Sequence, residues 1–234
     1  MASDVLTYTL EGKLAIVHMD DGKANALSDT MIESLLGALA RAEKEAGAMV
    51  LVGRPDRFCA GFDLRVMMSG PDNAKALLAR GAELLVKLYG AKIPLVIACT
   101  GHALAGGSLV LLTGDYRVGA QGAYRIGLNE VSISMPVPML AMELARDRLL
   151  PTELTRATLL AEVYDPERAA KVGYLDATAA PDAVLELAKA EATRLAGYAP
   201  SAFLATKVRL RGKSIAYIEA GLADDVKSLL MPTA

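Results

Sequence analysis

Apolar residues fall in short blocks along this chain, and the spacing inside each block separates strands from helices. Val5–Leu10 and Leu14–Met19 are β-type runs divided by Glu11-Gly12-Lys13, which predicts a hairpin with Gly12 in the turn. A loop over Asp20–Ala26 follows. Ser28 then caps a helix in which Met31, Leu35, Leu39 and Ala42 recur at helical spacing, as far as Ala46. Ala48–Val52 is an apolar strand ending at Gly53, before a Pro-containing loop that delivers Phe58-Cys59-Ala60-Gly61. Ala74–Tyr89 carries Leu77, Leu78, Leu84, Leu85 and Leu88 on one stripe, and Pro94 stops it ahead of a second apolar strand, Leu95–Cys99.

The Gly106–Gly107 pair then opens a helical segment over Ser108–Thr113, and Asp115–Gly119 and Ala123–Ile126 read as short strands. Helices dominate from Pro136 and Pro138 onward: one runs to Arg148 and another starts at Pro151. A stripe of Val184, Leu187, Ala188 and Leu195 marks a further helix, and beyond Pro200 two more are predicted at Ser201–Arg211 and Ser214–Leu230. Strand, loop, helix, repeated, is the order of a right-handed parallel crossover in an α/β fold, with both glycine-bearing loops opening on one side.

Composition narrows the class. At 234 residues, with 53% hydrophobic and 22% charged, the chain predicts one main globular domain and excludes disorder. Its apolar runs are broken by Gly or charge well short of the ~20 residues that a membrane span needs. The first residues show neither a basic segment nor an apolar core of signal type, so the expectation is a cytoplasmic protein without a membrane partner. Cys59 and Cys99 make no disulfide framework and are expected to be reduced thiols. A net charge of −2 offers no basic field for nucleic acid, and His18 and His102 are too isolated for a metal site.

Two places carry candidate chemistry. Glycines where a turn feeds a helix let a ligand approach the first, unpaired N–H groups of that helix, a setting that suits developing negative charge. Glu130 follows an otherwise apolar, amide-containing stretch and is a candidate base with a raised pKa. Plainer readings stand beside these: close strand–helix packing for the glycines, an exposed ion-paired carboxylate for Glu130, and a helix cap for Asp63. Cys59 has no evident base beside it and Ser108 lacks the G-x-S-x-G elbow, so neither reads as a nucleophile. Lys23, Lys87, Lys92 and Lys207 are candidates for phosphate contacts, with a solvated lysine as the default for each.

Three stretches also resemble, in order and spacing, those of the crotonase (enoyl-CoA hydratase/isomerase) superfamily. Ala103-Leu104-Ala105-Gly106-Gly107 is similar to its A-L-x-G-G turn, Phe58-Cys59-Ala60-Gly61-Phe62-Asp63-Leu64 to its F-[CS]-A-G-x-D-L loop, and Asn25-Ala26-Leu27 to its N-A-L signature. The resemblance implies a ββα spiral core over residues 1–195 and C-terminal helices over residues 196–234 that make the contacts of a homotrimer or homohexamer. It implies an acyl-CoA thioester substrate with no separate cofactor, CoA being part of the substrate. It assigns an oxyanion hole to the N–H groups of Ala60 and Gly106, and substrate contacts to Ala60, Gly61, Phe62, Asp63, Leu64, Gly106, Gly107, Leu109 and Asn129.

Hydratases of this family use two glutamates. The first position falls on Leu109, which cannot move a proton, and the second on Glu130. Ile126-Gly127-Leu128-Asn129-Glu130 is close to the I-G-L-N-E of mitochondrial Δ3,Δ2-enoyl-CoA isomerases. Moving a 3-enoyl double bond to position 2 takes a proton from C2 and returns one at C4, work that a single carboxylate can do. The resemblance therefore favours an enoyl-CoA isomerase of fatty acid metabolism, with a single-glutamate hydratase and a non-catalytic acyl-CoA-binding protein as alternatives. After Glu130 the chain departs from the I-P-G-x-G segment of hydratases, and Met135, Val137, Met139 and Leu140 are expected to form an apolar wall.

Overall fold

The computed structural model describes residues 5–229. β1 (Leu6–Glu11) and β2 (Leu14–Met19) form the predicted antiparallel hairpin, with Gly12 at a φ of 59°. α1 (Asp29–Glu45) begins at Ser28, whose hydroxyl accepts the Met31 N–H at 3.2 Å, and the acidic Asp29 sits at its positive end. β3 (Ala48–Val52) is buried on both faces.

From here the chain adds two short strands, Asp56–Cys59 and Gly101–Leu104, that its apolar runs do not predict. After β3 comes β4 (Asp56–Cys59), then the one-turn α2 (Leu64–Met67) and the long α3 (Pro71–Tyr89). β5 (Leu95–Cys99) is followed by β6 (Gly101–Leu104) and α4 (Gly106–Thr113). β7 (Tyr116–Ala120) is followed by β8, only Ile126–Gly127 rather than Ala123–Ile126, and then by α5 (Met139–Arg148). The repeating unit is thus strand, strand, helix.

The two strands of each unit enter different sheets. The first sheet has the order β1-β2-β3-β5-β7-β9, where β9 is Ala177–Ala179, and all its pairs beyond the hairpin are parallel. The second is a parallel sheet of three short strands, β4-β6-β8. Wholly apolar strands such as β3 and β5 follow from burial on both faces of the first sheet. Met49 and Leu51 of β3 join the main core with α1, α3 and α4, while Ala48, Val50 and Val52 face the opposite side. That side is covered by α8 (Val184–Ala196) through Val184, Ala188, Ala192 and Leu195; Leu187, predicted on the stripe, is instead exposed.

α6 (Leu154–Ala157) and α7 (Pro166–Val172) connect the second sheet to β9. The chain then runs through α9, Pro200–Ser228, as one helix of 29 residues where two were predicted. Gly212 does not break it. A mid-helix glycine costs about 1 kcal/mol relative to alanine, and two buried cations hold this helix to the core. Lys207 Nζ lies 2.6 Å and Arg211 Nη2 3.0 Å from the carboxylate of Asp115, and Arg211 also donates to the Tyr89 carbonyl at 2.8 Å. Lys207 is therefore a core tie rather than a phosphate contact. Leu230, the predicted last residue of this helical region, lies outside the described residues, as do residues 1–4 and 231–234.

Among the described residues no helix is long and apolar enough to cross a membrane, and no three His, Cys, Asp or Glu side chains cluster in a way that would hold a metal ion.

Candidate active site

The three strands of the small sheet end side by side, and each releases one loop at its carboxyl end. β4 leads into Ala60–Asp63, β6 into Ala105–Gly107, and β8 into Leu128–Glu130. Ser108 locks the last two together, its hydroxyl lying 2.7 Å from the Ala103 carbonyl and accepting the Gly127 N–H at 3.0 Å. The serine is thus structural, as its missing elbow motif predicts.

The first loop is held by the segment 24–27, which gives the N-A-L stretch its physical role. Asn25 is fully buried at a φ of 52° and donates to the carbonyls of Met19 at 3.0 Å and Phe58 at 3.2 Å. Its neighbours pair with the loop. Ala60 N–H donates to the Ala24 carbonyl at 3.0 Å, Leu27 N–H to Gly61 at 2.8 Å, and Asp63 N–H to Leu27 at 3.2 Å.

This pairing corrects the assignment of Ala60. Its N–H is committed to Ala24 and is no spare donor, although its side chain does line the cavity described below. Successive amides of an extended segment point to opposite sides. Since Asp63 N–H faces Leu27, the intervening Phe62 N–H faces away from it, and it donates to no group among the described residues. Gly61 takes a φ of 96°, and a Cβ placed on it would stand 3.2 Å from the Gly106 nitrogen. The two loops are therefore in contact. The Phe62 ring fills the space at Gly81 in α3, where a Cβ would come within 2.1 Å of it, and this fixes the residue that carries the free amide.

In the second loop Ala105 has a φ of 48° and a ψ of −124°, a conformation that L side chains rarely adopt and that costs about 1–3 kcal/mol. It turns the chain sharply into α4, so that Gly106 N–H is the first unpaired donor of the helix. Gly107 serves a different purpose. A Cβ there would lie 2.0 Å from the Cys59 carbonyl oxygen, so its lack of a side chain permits the close contact between α4 and β4.

Together the loops enclose an apolar cavity of about 220 Å³. Phe62, Leu64, Leu109, Asn129, Glu130 and Met135 are among its walls, with Ala60, Gly106 and Pro138. Of the predicted contact residues, Gly61, Asp63 and Gly107 do not line it. Asp63 caps α2 by accepting the Arg65 N–H at 2.9 Å, and the Arg65 side chain beside it holds its carboxyl below the usual range. It faces an outer cleft that also holds Lys23 and Arg65; Arg65 was not legible as a site residue. Lys87 and Lys92 border a separate groove beside Leu36 and Ile215. Leu140 lines a small inner void behind Leu109 and Phe62, and Met139 packs against Gly221 of α9.

Glu130 is the one ionisable residue among the described walls of the cavity. It is 5% exposed, in no ion pair, and its Oε2 has no hydrogen-bond partner among the described residues. Burial pushes its pKa up to about 7, so the exposed-carboxylate reading is excluded and the group can both lose and take a proton near neutrality. Cys59 is buried, its thiol pushed up to about 12, and is inert. His102 accepts the Arg125 N–H at 3.0 Å and stacks edge-on against Tyr124.

Comparison with known proteins agrees with this architecture. A family model described as enoyl-CoA hydratase/isomerase matches residues 9–229. The chain is 30% identical over 168 residues to human mitochondrial enoyl-CoA delta isomerase 1, covering 70% of this chain and 56% of that protein. It thus spans little more than half the length of that relative. A putative enoyl-CoA hydratase of Thermus thermophilus is 32% identical over 206 residues, covering 84% of this chain and 80% of that one. Among solved structures, an enoyl-CoA isomerase of Mycobacterium tuberculosis superposes with a TM-score of 0.91 at 38% identity, covering 97% of this chain and 99% of the other. The two-sheet spiral, its three converging loops and a family match over residues 9–229 place the chain in the enoyl-CoA hydratase/isomerase family, with the crotonase fold.

Proposed function

We propose that this protein is a Δ3,Δ2-enoyl-CoA isomerase. The observation that carries the reading is the single carboxylate of the cavity: Glu130 faces it alone, and Leu109 stands where a second acid would be needed to hydrate. The amides of Phe62 and Gly106 hold the thioester oxygen. As Glu130 removes a proton from C2, that oxygen gains negative charge, and each such donor contributes about 2.7–4 kcal/mol to the transition state. Glu130 then returns a proton at C4, leaving the double bond conjugated with the thioester.

The acyl chain lies along Leu64, Met67, Leu78, Leu109 and Met135, an apolar lining suited to a hydrocarbon tail. The CoA nucleotide occupies the outer cleft, where Lys23 and Arg65 supply positive charge for its phosphates. The C-terminal helix packs copies of the chain into a trimer or hexamer, with residues 1–195 as the catalytic core.

Conversion of 3-hexenoyl-CoA to the conjugated 2-enoyl ester, followed by its absorbance, tests the assignment. Absence of product, or an unchanged rate in Glu130→Gln, refutes it. Hydration is the second reading, favoured by the name of the Thermus relative. Appearance of 3-hydroxyacyl-CoA from crotonyl-CoA at a rate exceeding isomerisation selects it instead.

A further inference from the structure

Apart from the acyl cavity, and sharing no wall with it, the protein has a second cleft of about 290 Å³. It lies at the amino ends of β5 and β7, where Asp115 accepts the Leu95 N–H at 2.8 Å. The last turn of α5, α8 and the first half of α9 bound it. Six of its wall residues are charged, and their pairing leaves positive charge over. Arg194 and Glu191 satisfy each other, with Arg194 Nε 2.9 Å from the carboxylate. Lys207 and Arg211 share the single carboxylate of Asp115, at 2.6 and 3.0 Å. Arg148 meets no carboxylate among the described residues and donates only through Nη2, to the Gly114 carbonyl at 2.9 Å. The cleft thus sets four cations against two carboxylates.

On an open surface such an excess is solvated by water and needs no partner. These cations are not on an open surface. Lys207 and Arg211 are 6% and 2% exposed, and Arg148 is half-buried. The Nε groups of Arg148 and Arg211 are sealed from solvent without a hydrogen-bond partner among the described residues, and Nη1 of Arg148 donates to no described group. A guanidinium carries five N–H donors, and a buried cation is stable only where it is paired and hydrogen-bonded. Burial lowers the pKa of Arg148 to about 10, with the charges of Arg117 and Arg211 adding to the shift, and lowers that of Lys207 to about 8. A negative charge in the cleft opposes both shifts.

We propose that this cleft binds a small oxyanion, a phosphate or a carboxylate, between Arg148 and Arg211. Guanidinium groups present parallel N–H donors that match two oxygens of one such group, a match that a spherical halide does not offer. The bound anion balances the charge where α9 docks on the core, and so stabilises the fold without entering the acyl cavity. The site stands apart from the isomerase reading, since none of its walls faces Glu130.

The test is thermal melting of the whole protein in inorganic phosphate, in acetate and in chloride, at matched pH and ionic strength. Wild type is expected to melt higher in phosphate or acetate than in chloride, with a rise that follows the logarithm of the anion concentration. Whichever of the two acts at the several-fold lower concentration identifies the ligand. Phosphate also stabilises folded proteins by exclusion from their surface, an effect common to all variants, so the difference between variants is the readout. Arg148→Met is expected to lose the specific rise. Arg148→Lys, which keeps the charge without the fork, is expected to need several-fold more anion; it decides the matter if Arg148→Met does not fold, and a response equal to wild type there overturns the site. A rise undiminished in Arg148→Met also overturns it, as does a rise lost only in Arg65→Ala, which places the phosphate in the outer cleft. No rise over chloride in wild type overturns it too. If in that case sedimentation shows a changed oligomeric state for Arg148→Met, the counter-ion is a carboxylate of a second copy and not a free anion.

Discussion

The two sheets of this protein are built from different material. The first has strands of five and six residues and a three-residue edge strand, β9, and its β3 and β5 contain nothing but buried apolar or thiol side chains. The second has strands of four, four and two residues, and includes Asp56, Arg57, His102 and two glycines. The large sheet supplies the core on both its faces, while the small sheet supplies little burial and all three loops of the cavity. Stability and chemistry are thereby separated, and side-chain changes in one sheet should leave the other's contribution largely alone.

The largest effect that tests this separation is on catalysis. Glu130→Gln is expected to lower the isomerisation rate by about 10²–10⁴-fold, the usual worth of a positioned acid–base group. Its effect on stability has the opposite sign. The folded pKa of Glu130 lies above its ordinary value of 4.5, at about 7, so the buried group favours folding least when it is charged. The stability of wild type relative to Glu130→Gln is greatest below the lower value, falls as pH rises between the two, and is constant above the higher one. The amide variant should therefore be more stable at pH 8 than wild type, by up to about 3 kcal/mol for a shift of this size. Chemical denaturation of both proteins at pH 5 and pH 8 measures it, and equal differences at the two pH values would remove Glu130 from its buried setting.

The converse change is in the large sheet. Leu51→Ala, in the middle of β3 and fully buried, is expected to destabilise by about 2–5 kcal/mol. Turnover per folded molecule should stay close to wild type, as active-site titration would show. Gly107→Ala joins the two regions, because its Cβ would collide with the Cys59 carbonyl across α4 and β4. It should cost about 1–3 kcal/mol in stability and also lower turnover, since the amide of the adjacent Gly106 moves with it. A fall in stability alone would place the oxyanion donors elsewhere. The smallest effect is the pH profile. With Glu130 acting as a base, kcat/KM should rise with pH through a midpoint at about 7, the value set by its burial, and level off above it.

The same contrast explains what could be read without coordinates. The hairpin, the Ser28 cap, β3, α3, β5 and α4 all announce themselves through periodicity and punctuation, and all are present within a few residues of their predicted ends. β4 and β6 do not, because Asp56-Arg57-Phe58-Cys59 and Gly101-His102-Ala103-Leu104 have neither the alternation nor the apolar run of a strand. They are strands because they pair with each other. Lys207 likewise reads as a solvated lysine, and its burial with Arg211 against Asp115 depends on where α9 docks.

By itself the sequence determined the α/β class, the apolar strands of the large sheet, the identity of the three loops and the presence of one acid near the last of them. Those follow from local pattern and from motif. Which amides remain free was decided by tertiary structure alone, because it depends on a partner. Ala24 takes the Ala60 N–H, nothing described takes that of Phe62, and only the pairing of segment 24–27 with the loop after β4 distinguishes them. The charge state of Glu130 belongs to the same category, since desolvation is a property of the walls around a carboxylate and not of the residues beside it in the chain.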